Sequence, residues 1–289
     1  MRILITGATG RVGRSVVEEL QGEHELVAFC RHPSAKPIKA RTFLGDVTNL
    51  GQVYTAMAGV DAVVHLAAFT SVAVAPPDVV FQTNTMGTFN VAEAAANLGV
   101  KKVVYSSSGS VLGFAYRTRM FIPEYLPMDE AHPLRPQDPY ALSKWVGEEI
   151  LETITRRTGL QTIVLRPPTV LTPESYAEVV PRLLKGWISS GSSILSYVDA
   201  LDFAQAVRLA LEDDTIVHDR FFISADDALC PEPVCEAFPR LHPGTEEMAK
   251  ALGATGSPIS SARAKRILGY RPRHSWRDYA SLHTTGKGR

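Results

Sequence analysis

A chain of 289 residues can bury one large core, or one domain plus a smaller second one. Lys and Arg number 30 against 30 Asp and Glu with no long basic run, so neither a nucleic-acid nor a membrane partner is expected. Cys30, Cys230 and Cys235 are too few for a disulfide framework and lack metal-ligand spacing, and no apolar stretch reaches membrane length; a soluble cytoplasmic protein without a metal site is expected.

The chain opens on MRILITGATGRVG. Ile3, Leu4 and Ile5 form an apolar run too short for a stable helix, closed by Gly7, Gly10 and Gly13, which reads as a buried strand turning sharply into a helix. Glycines let the backbone bend, let a diphosphate approach the main chain and let the helix sit close on the strand. The free amides at the start of that helix then face an anion. The competing reading is a plain tight turn. Val12, Val16, Val17 and Leu20 mark one face of the first helix. A strand at 26–30, a short strand at 42–44, a helix at 50–57, a strand at 62–66, a long helix at about 77–98 and a strand at 102–106 follow. Strands alternating with helices imply a parallel sheet covered on both faces, with ligands beyond the carboxyl ends of the strands.

The second strand ends Phe29 Cys30 Arg31 His32, with no carboxylate to accept from a ribose 2'-hydroxyl. Arg31 suits a 2'-phosphate, which favours NADP(H); the alternative is NAD held through backbone contacts, with Arg31 a solvated loop residue. After the fifth strand comes the serine run 106–108, then an irregular stretch at 113–137 that reads as the wall or lid of a site. Asp138 as N-cap and Pro139 at the first helical position start another helix. Tyr140 and Lys144 follow, four residues apart and therefore on one helix face. A nearby ammonium and a nicotinamide cation would both favour the phenolate of Tyr140, which could then exchange a proton with an alcohol or carbonyl while a serine hydroxyl holds the substrate oxygen. An accidental Tyr and Lys at helical spacing is the bland alternative.

Together these segments resemble the extended short-chain dehydrogenase/reductases, the NAD(P)-dependent epimerase/dehydratase group. The resemblance rests on GATGRVG at the start, GDV at 45–47, HLAA at 65–68, NTMGTFNVAEAA at 84–95, SSSGSVLG at 106–113 and YALSK at 140–144, in order. It implies a Rossmann-type doubly wound α/β sheet with a small C-terminal substrate-binding region, divided at 1–172 and 173–289. By resemblance Gly7, Gly10, Arg11, Val12 and Gly13 hold a pyrophosphate, Asp46 and Val47 an adenine, and Ala67 and Ala68 line the cofactor cleft. Asn84 helps position the site, Ser108 and Tyr140 are catalytic, Lys144 binds the nicotinamide ribose and lowers the tyrosine pKa, and Pro167 lies where the nicotinamide amide is met. Relatives often form homodimers through the two long helices.

Nucleotide-sugar members of the group usually carry an Asn after the sixth strand and an Arg before a late V-x-D motif. Here the first place reads RPPTV, and the stretch before Tyr197, Val198 and Asp202 is compressed and lacks that Arg. A small substrate without a nucleotide handle follows: an NAD(P)-dependent oxidoreductase interconverting a sugar-like or acid-bearing alcohol and its carbonyl. A nucleotide-sugar epimerase or dehydratase with retained cofactor is one alternative, and a non-catalytic cofactor sensor is another. Tyr116, Arg117 and Arg119 could face the pocket and hold a carboxylate; the alternative, commoner for such arginines, is that they are solvated. The segment 260–276 resembles the group's C-terminal helix and turn and reads as structural; the end, TTGKGR, is expected to be disordered.

Overall fold

The computed structural model describes residues 1–34, 37–186 and 194–285. Seven parallel strands form the sheet: β1 (Arg2–Thr6), β2 (Glu25–Cys30), β3 (Arg41–Leu44), β4 (Ala62–His65), β5 (Lys102–Ser106), β6 (Gln161–Arg166) and β9 (His218–Phe222). Their order is β3-β2-β1-β4-β5-β6-β9, so the chain reverses direction across the sheet between β1 and β4. That reversal opens a crevice at the carboxyl ends of the strands.

Alternation along each strand divides the core between the two faces. Ile3, Ile5, Val64 and Ile163 point to one face, covered by α1 (Arg11–Leu20) and α6 (Ala200–Glu212). Leu4, Val63, Val103 and Val164 point to the other, covered by α2 (Leu50–Met57), α3 (Pro77–Asn97) and α4 (Pro139–Thr158). Continuous apolar strands are what a sheet buried on both sides requires.

The expected elements appear within a residue or two of their predicted ends. Asp138 caps α4 by accepting from the Ala141 N–H, with Pro139 at the first turn. After β6 the chain makes a second, two-stranded parallel sheet from β7 (Thr169–Leu171) and β8 (Tyr197–Asp199), with α5 (Pro173–Leu183) between them. It then returns to the main sheet as α6 and β9. The remainder includes α7 (Val234–Leu241), α8 (Glu246–Ala249), α9 (Ala262–Ile267) and α10 (Trp276–Thr285); apolar residues of α7, α8 and α10 fill cores of their own beside the sheet. Asp202 accepts from the backbone of Arg273 and His274, and the Tyr197 hydroxyl donates to Asp227. Those bonds fasten the C-terminal segment, as its structural reading requires. Of the end expected to be disordered, Thr284 and Thr285 belong to α10, and 286–289 lie outside the described residues. No helix among the described residues is long and apolar enough to cross a membrane.

Candidate active site

The glycine turn is tight because it must be. Gly7 has φ +72°, and a Cβ there would sit 2.8 Å from the backbone nitrogen of Ala67. A Cβ at Gly13 would run into the Gly7 carbonyl oxygen. Gly10 leads directly into α1, whose first amides face the crevice. Thr6 ties this turn to the end of β4. Its hydroxyl oxygen accepts from the Leu66 and Ala67 amides at 3.2 and 3.1 Å and shares a 2.7 Å hydrogen bond with His65 Nδ1. Burial pushes His65 down to about 3, so the ring is neutral and serves as a fixed bridge to Thr88 on α3.

Above this turn lies a cleft of about 600 Å³. Gly7, Gly10, Arg11, Val12 and Gly13 line one end, with Arg31, Val47, Ala67 and Ala68 beside them; Ser108, Tyr140, Lys144 and Pro167 line it further along. Two expected site residues stand elsewhere. Asp46 is not in the wall, which is built there from Gly45 and Val47; its Oδ1 accepts from the Thr48 amide and hydroxyl. Asn84 lies behind the wall, where its side chain accepts from the Phe69 amide and donates to the Phe69 carbonyl and to Ser143 Oγ. Ser143 in turn donates to the Tyr140 carbonyl, so Asn84 braces the cleft wall and the first turn of α4 together.

Ser108 begins a short 3-10 turn (Gly109–Leu112) and accepts from the Ser110 amide at 3.1 Å. Its hydroxyl donates to Ser110 Oγ at 3.1 Å and lines the same cleft as Tyr140. Burial pushes the Tyr140 phenol up to about 12, and the neighbouring Ser108 hydroxyl offsets only part of that rise. The expectation of a phenolate favoured by Lys144 is therefore not met by the chain's own electrostatics. The Lys144 Nζ donates to the Ser106 carbonyl at 2.7 Å and lies 4.9 Å from the centre of the Tyr105 ring. Burial pulls this lysine down to about 7, while the Glu148 carboxylate draws it upward.

Glu148 is a residue that sequence reading missed. It stands one turn after Lys144, fully buried, and receives Arg166 Nε at 3.0 Å, Arg166 Nη2 at 2.6 Å and the Ser107 hydroxyl at 2.5 Å. One carboxylate thus joins α4, the end of β6 and the serine run. The available signals were its four-residue offset from Lys144 and a lone arginine closing an apolar strand.

Arg117 and Arg119 do not line the cleft, contrary to expectation. Arg117 reaches His242 Nδ1 at 2.9 Å and the Leu241 carbonyl at 3.2 Å, fastening the 113–137 stretch to the end of α7, and Arg119 is exposed. Tyr116 does line the cleft, at φ 53°.

A model of the NAD dependent epimerase/dehydratase family matches residues 3–223. The chain belongs to that family. A UDP-glucose 4-epimerase from Streptococcus mutans is 26% identical over 94% of this chain and 92% of its own length. An L-arabinose 1-dehydrogenase (NAD(P)(+)) from Haloferax volcanii is 32% identical over 73% of this chain and 82% of its own. Among solved structures, the Thermus thermophilus UDP-glucose 4-epimerase complex with NAD is 25% identical, with a TM-score of 0.72 over 95% of both chains. As an epimerase/dehydratase family member the chain is an enzyme of the extended short-chain dehydrogenase/reductase type, with the Rossmann-like fold of that group.

Proposed function

We infer that this enzyme transfers hydride between a nicotinamide dinucleotide and a small alcohol or its carbonyl form, releasing the cofactor in its changed redox state. The observation that carries this reading is one cleft in which Ser108, Tyr140 and Lys144 share the wall with the glycine turn. A dinucleotide suits the turn, because the close approach of Gly7 to Ala67 leaves backbone, not side chain, facing the crevice. Gly7, Gly10, Arg11, Val12 and Gly13 would hold the pyrophosphate, Val47, Ala67 and Ala68 the adenosine side, and Lys144 and Pro167 the nicotinamide ribose and amide. Asp46 contributes through the turn that sets Val47.

When bound, a nicotinamide dinucleotide supplies a two-electron hydride acceptor or donor. Tyr140 takes the hydroxyl proton as the alcohol carbon loses hydride and becomes a carbonyl, and returns it in the reverse direction. Ser108 holds the substrate oxygen. Arg31 and His32 line the adenosine end with no carboxylate after β2, which favours NADP(H). Residues 1–172 then carry the cofactor and the proton-transfer groups, while 173–289 contribute the facing wall through Ile194 and Ser196. Three free cysteines suit a reducing cytoplasmic setting, and the outer faces of α3 and α4 suit a homodimer.

A second reading, epimerisation of a nucleotide sugar with retained cofactor, is favoured by the long alignment with the Streptococcus mutans protein. The two separate by absorbance at the reduced-nicotinamide band. Net NADP reduction by a free small alcohol is the expected result, with Arg31→Ala lowering the NADP over NAD preference about tenfold, the order of one lost charge-assisted bond. Interconversion of UDP-sugars without net reduction selects the second reading.

A further inference from the structure

Among the described residues, two that are not glycine hold a positive φ: Tyr116 at 53° and Leu195 at 54°. Both stand at the cleft. Tyr116 lines it, and Leu195 separates the lining residues Ile194 and Ser196. A left-handed backbone is unfavourable for any residue with a Cβ, and it persists only where the surroundings dictate it. For Tyr116 the contacts that dictate it can be named.

Upstream, the Arg135 amide donates to the Val111 carbonyl at 3.2 Å, and a Cβ on Gly113 would overlap the Arg135 carbonyl, so the two ends of the 113–137 stretch meet there. Phe114 follows, 1% exposed, with its ring centre 4.5 Å from that of Phe121 and 5.6 Å from that of His242. Downstream, Arg117 donates to His242 Nδ1 and the Leu241 carbonyl, and Phe238 stacks on the same imidazole at 4.3 Å. Gln137, the residue before the Asp138 cap, accepts from the Thr118 amide and hydroxyl and from the Arg119 amide, at 3.1, 3.2 and 2.8 Å, and donates back to the Arg119 carbonyl at 3.0 Å. Tyr116 is thus pinned on both sides, by the end of α7 and by the entry to the helix that carries Tyr140.

What this frame presents to the cleft is a phenol. The residue is 40% exposed, and its hydroxyl makes no hydrogen bond among the described residues. In the same wall, by contrast, the Ser107 hydroxyl donates to Glu148 and the Ser108 hydroxyl to Ser110 Oγ. Tyr140, raised chiefly by burial, is raised further by the Tyr116 phenol, which puts the two within electrostatic reach of each other. A tyrosine offers a rigid apolar ring and one hydrogen-bonding tip, a combination suited to holding a ligand in one orientation. We propose that Tyr116 is a substrate-contact residue, whose hydroxyl bonds a substrate oxygen other than the one that exchanges its proton with Tyr140, and that Arg117, through His242, is the positioning residue that holds it there. The proposal rests on the hydride-transfer reading above.

The test follows reduction of NADP and NAD with galactose, arabinose, galacturonate and glycerate, each of which carries an oxygen beside the reacting one. For the compound that the wild type turns over best, Tyr116→Phe should raise KM about fivefold, on the scale of one lost neutral hydrogen bond, and by more than it lowers kcat, while the dissociation constant for the cofactor stays that of the wild type. Arg117→Met should raise KM in the wild-type background and add nothing to Tyr116→Ala, because it acts through Tyr116. Tyr116→Gly and Tyr116→Ala both lack the phenol, but glycine alone accepts φ 53° without strain, so the glycine variant should have the higher urea midpoint. Any one of three results overturns the proposal and leaves hydride transfer standing: net reduction by Tyr116→Phe at the wild-type KM, an Arg117→Met effect of equal size in both backgrounds, or an alanine variant as resistant to urea as the glycine one. No net reduction with any compound overturns the proposed function, and this proposal falls with it.

Discussion

Tyr140 and Lys144 carry opposite burdens from the same burial. With its phenol pushed up to about 12, Tyr140 is protonated at neutral pH, ready to donate to a carbonyl and poorly ionised for accepting from an alcohol. Alcohol oxidation should therefore accelerate with pH from 7 to 10 without a plateau, while carbonyl reduction should not. Tyr140→Phe should lower kcat by about 10² to 10⁴ and abolish that pH slope; a variant with wild-type turnover would remove Tyr140 from the chemistry. Lys144 gives up its proton at about 7 in the folded chain and at 10.5 when unfolded. Between those values the unfolded chain binds more protons, so this residue makes stability rise with pH across the window. Below 7 both states are protonated and its contribution to the slope vanishes. Lys144→Met lacks the group, so the wild type should gain on it between pH 7 and 10 in urea unfolding, and a constant difference would contradict the burial argument.

At the scale of elements, the site is held by the join of α4, β5 and β6 through Glu148. The carboxylate is fully buried and Arg166 is 2% exposed, so removing one partner strands the other in a region without water. Glu148→Ala should cost about 3 kcal/mol or more in urea unfolding. A Glu148→Leu, Arg166→Met double variant should recover most of that loss, because an apolar pair of similar volume removes both charges; a double variant no better than the single one would refute this account. Arg220, whose Nε lies 3.3 Å from Glu148 Oε2, keeps Glu149 and Glu152 as partners in either case. The same join shows where sequence reading reaches its limit. Apolar strands, the glycine turn, the Asp138 cap and the Tyr140 to Lys144 spacing are local signals, legible because strand period, backbone freedom and helix pitch are fixed by neighbours in the chain. Glu148 with Arg166, Asn84 with Phe69 and Ser196 with Ser257 are pairings across 15 to 61 positions, and nothing local distinguishes such a glutamate or serine from a surface one. Arg117 failed for the converse reason. Its place in the lid stretch suggested the pocket, while the fold supplied His242 and a carbonyl outside it.

On the scale of the whole molecule, the cleft occupies the carboxyl edge of the sheet and leaves the outer sides of α3 and α4 facing away from it. Those helices pack closely on each other, and their inner residues belong to the core beneath the sheet. Outside, Val79, Met86 and Phe89 follow one face of α3 at 36%, 42% and 39% exposure, and Leu142 on α4 stands 38% exposed. Scattered exposed apolar residues need no explanation, but a row at helical spacing beside a second apolar helix does. A second copy of the chain related by a two-fold axis would bring this face against itself, as an isologous interface requires. Sedimentation equilibrium should therefore give twice the chain mass. Replacing Met86 and Phe89 together by Asp should return the monomer, because two buried carboxylates facing two others cannot be desolvated without counter-ions. Both side chains lie outside the cleft wall, so the variant should bind NADP as the parent does. A parent already monomeric would refute the homodimer, and a double variant still dimeric would place the interface elsewhere.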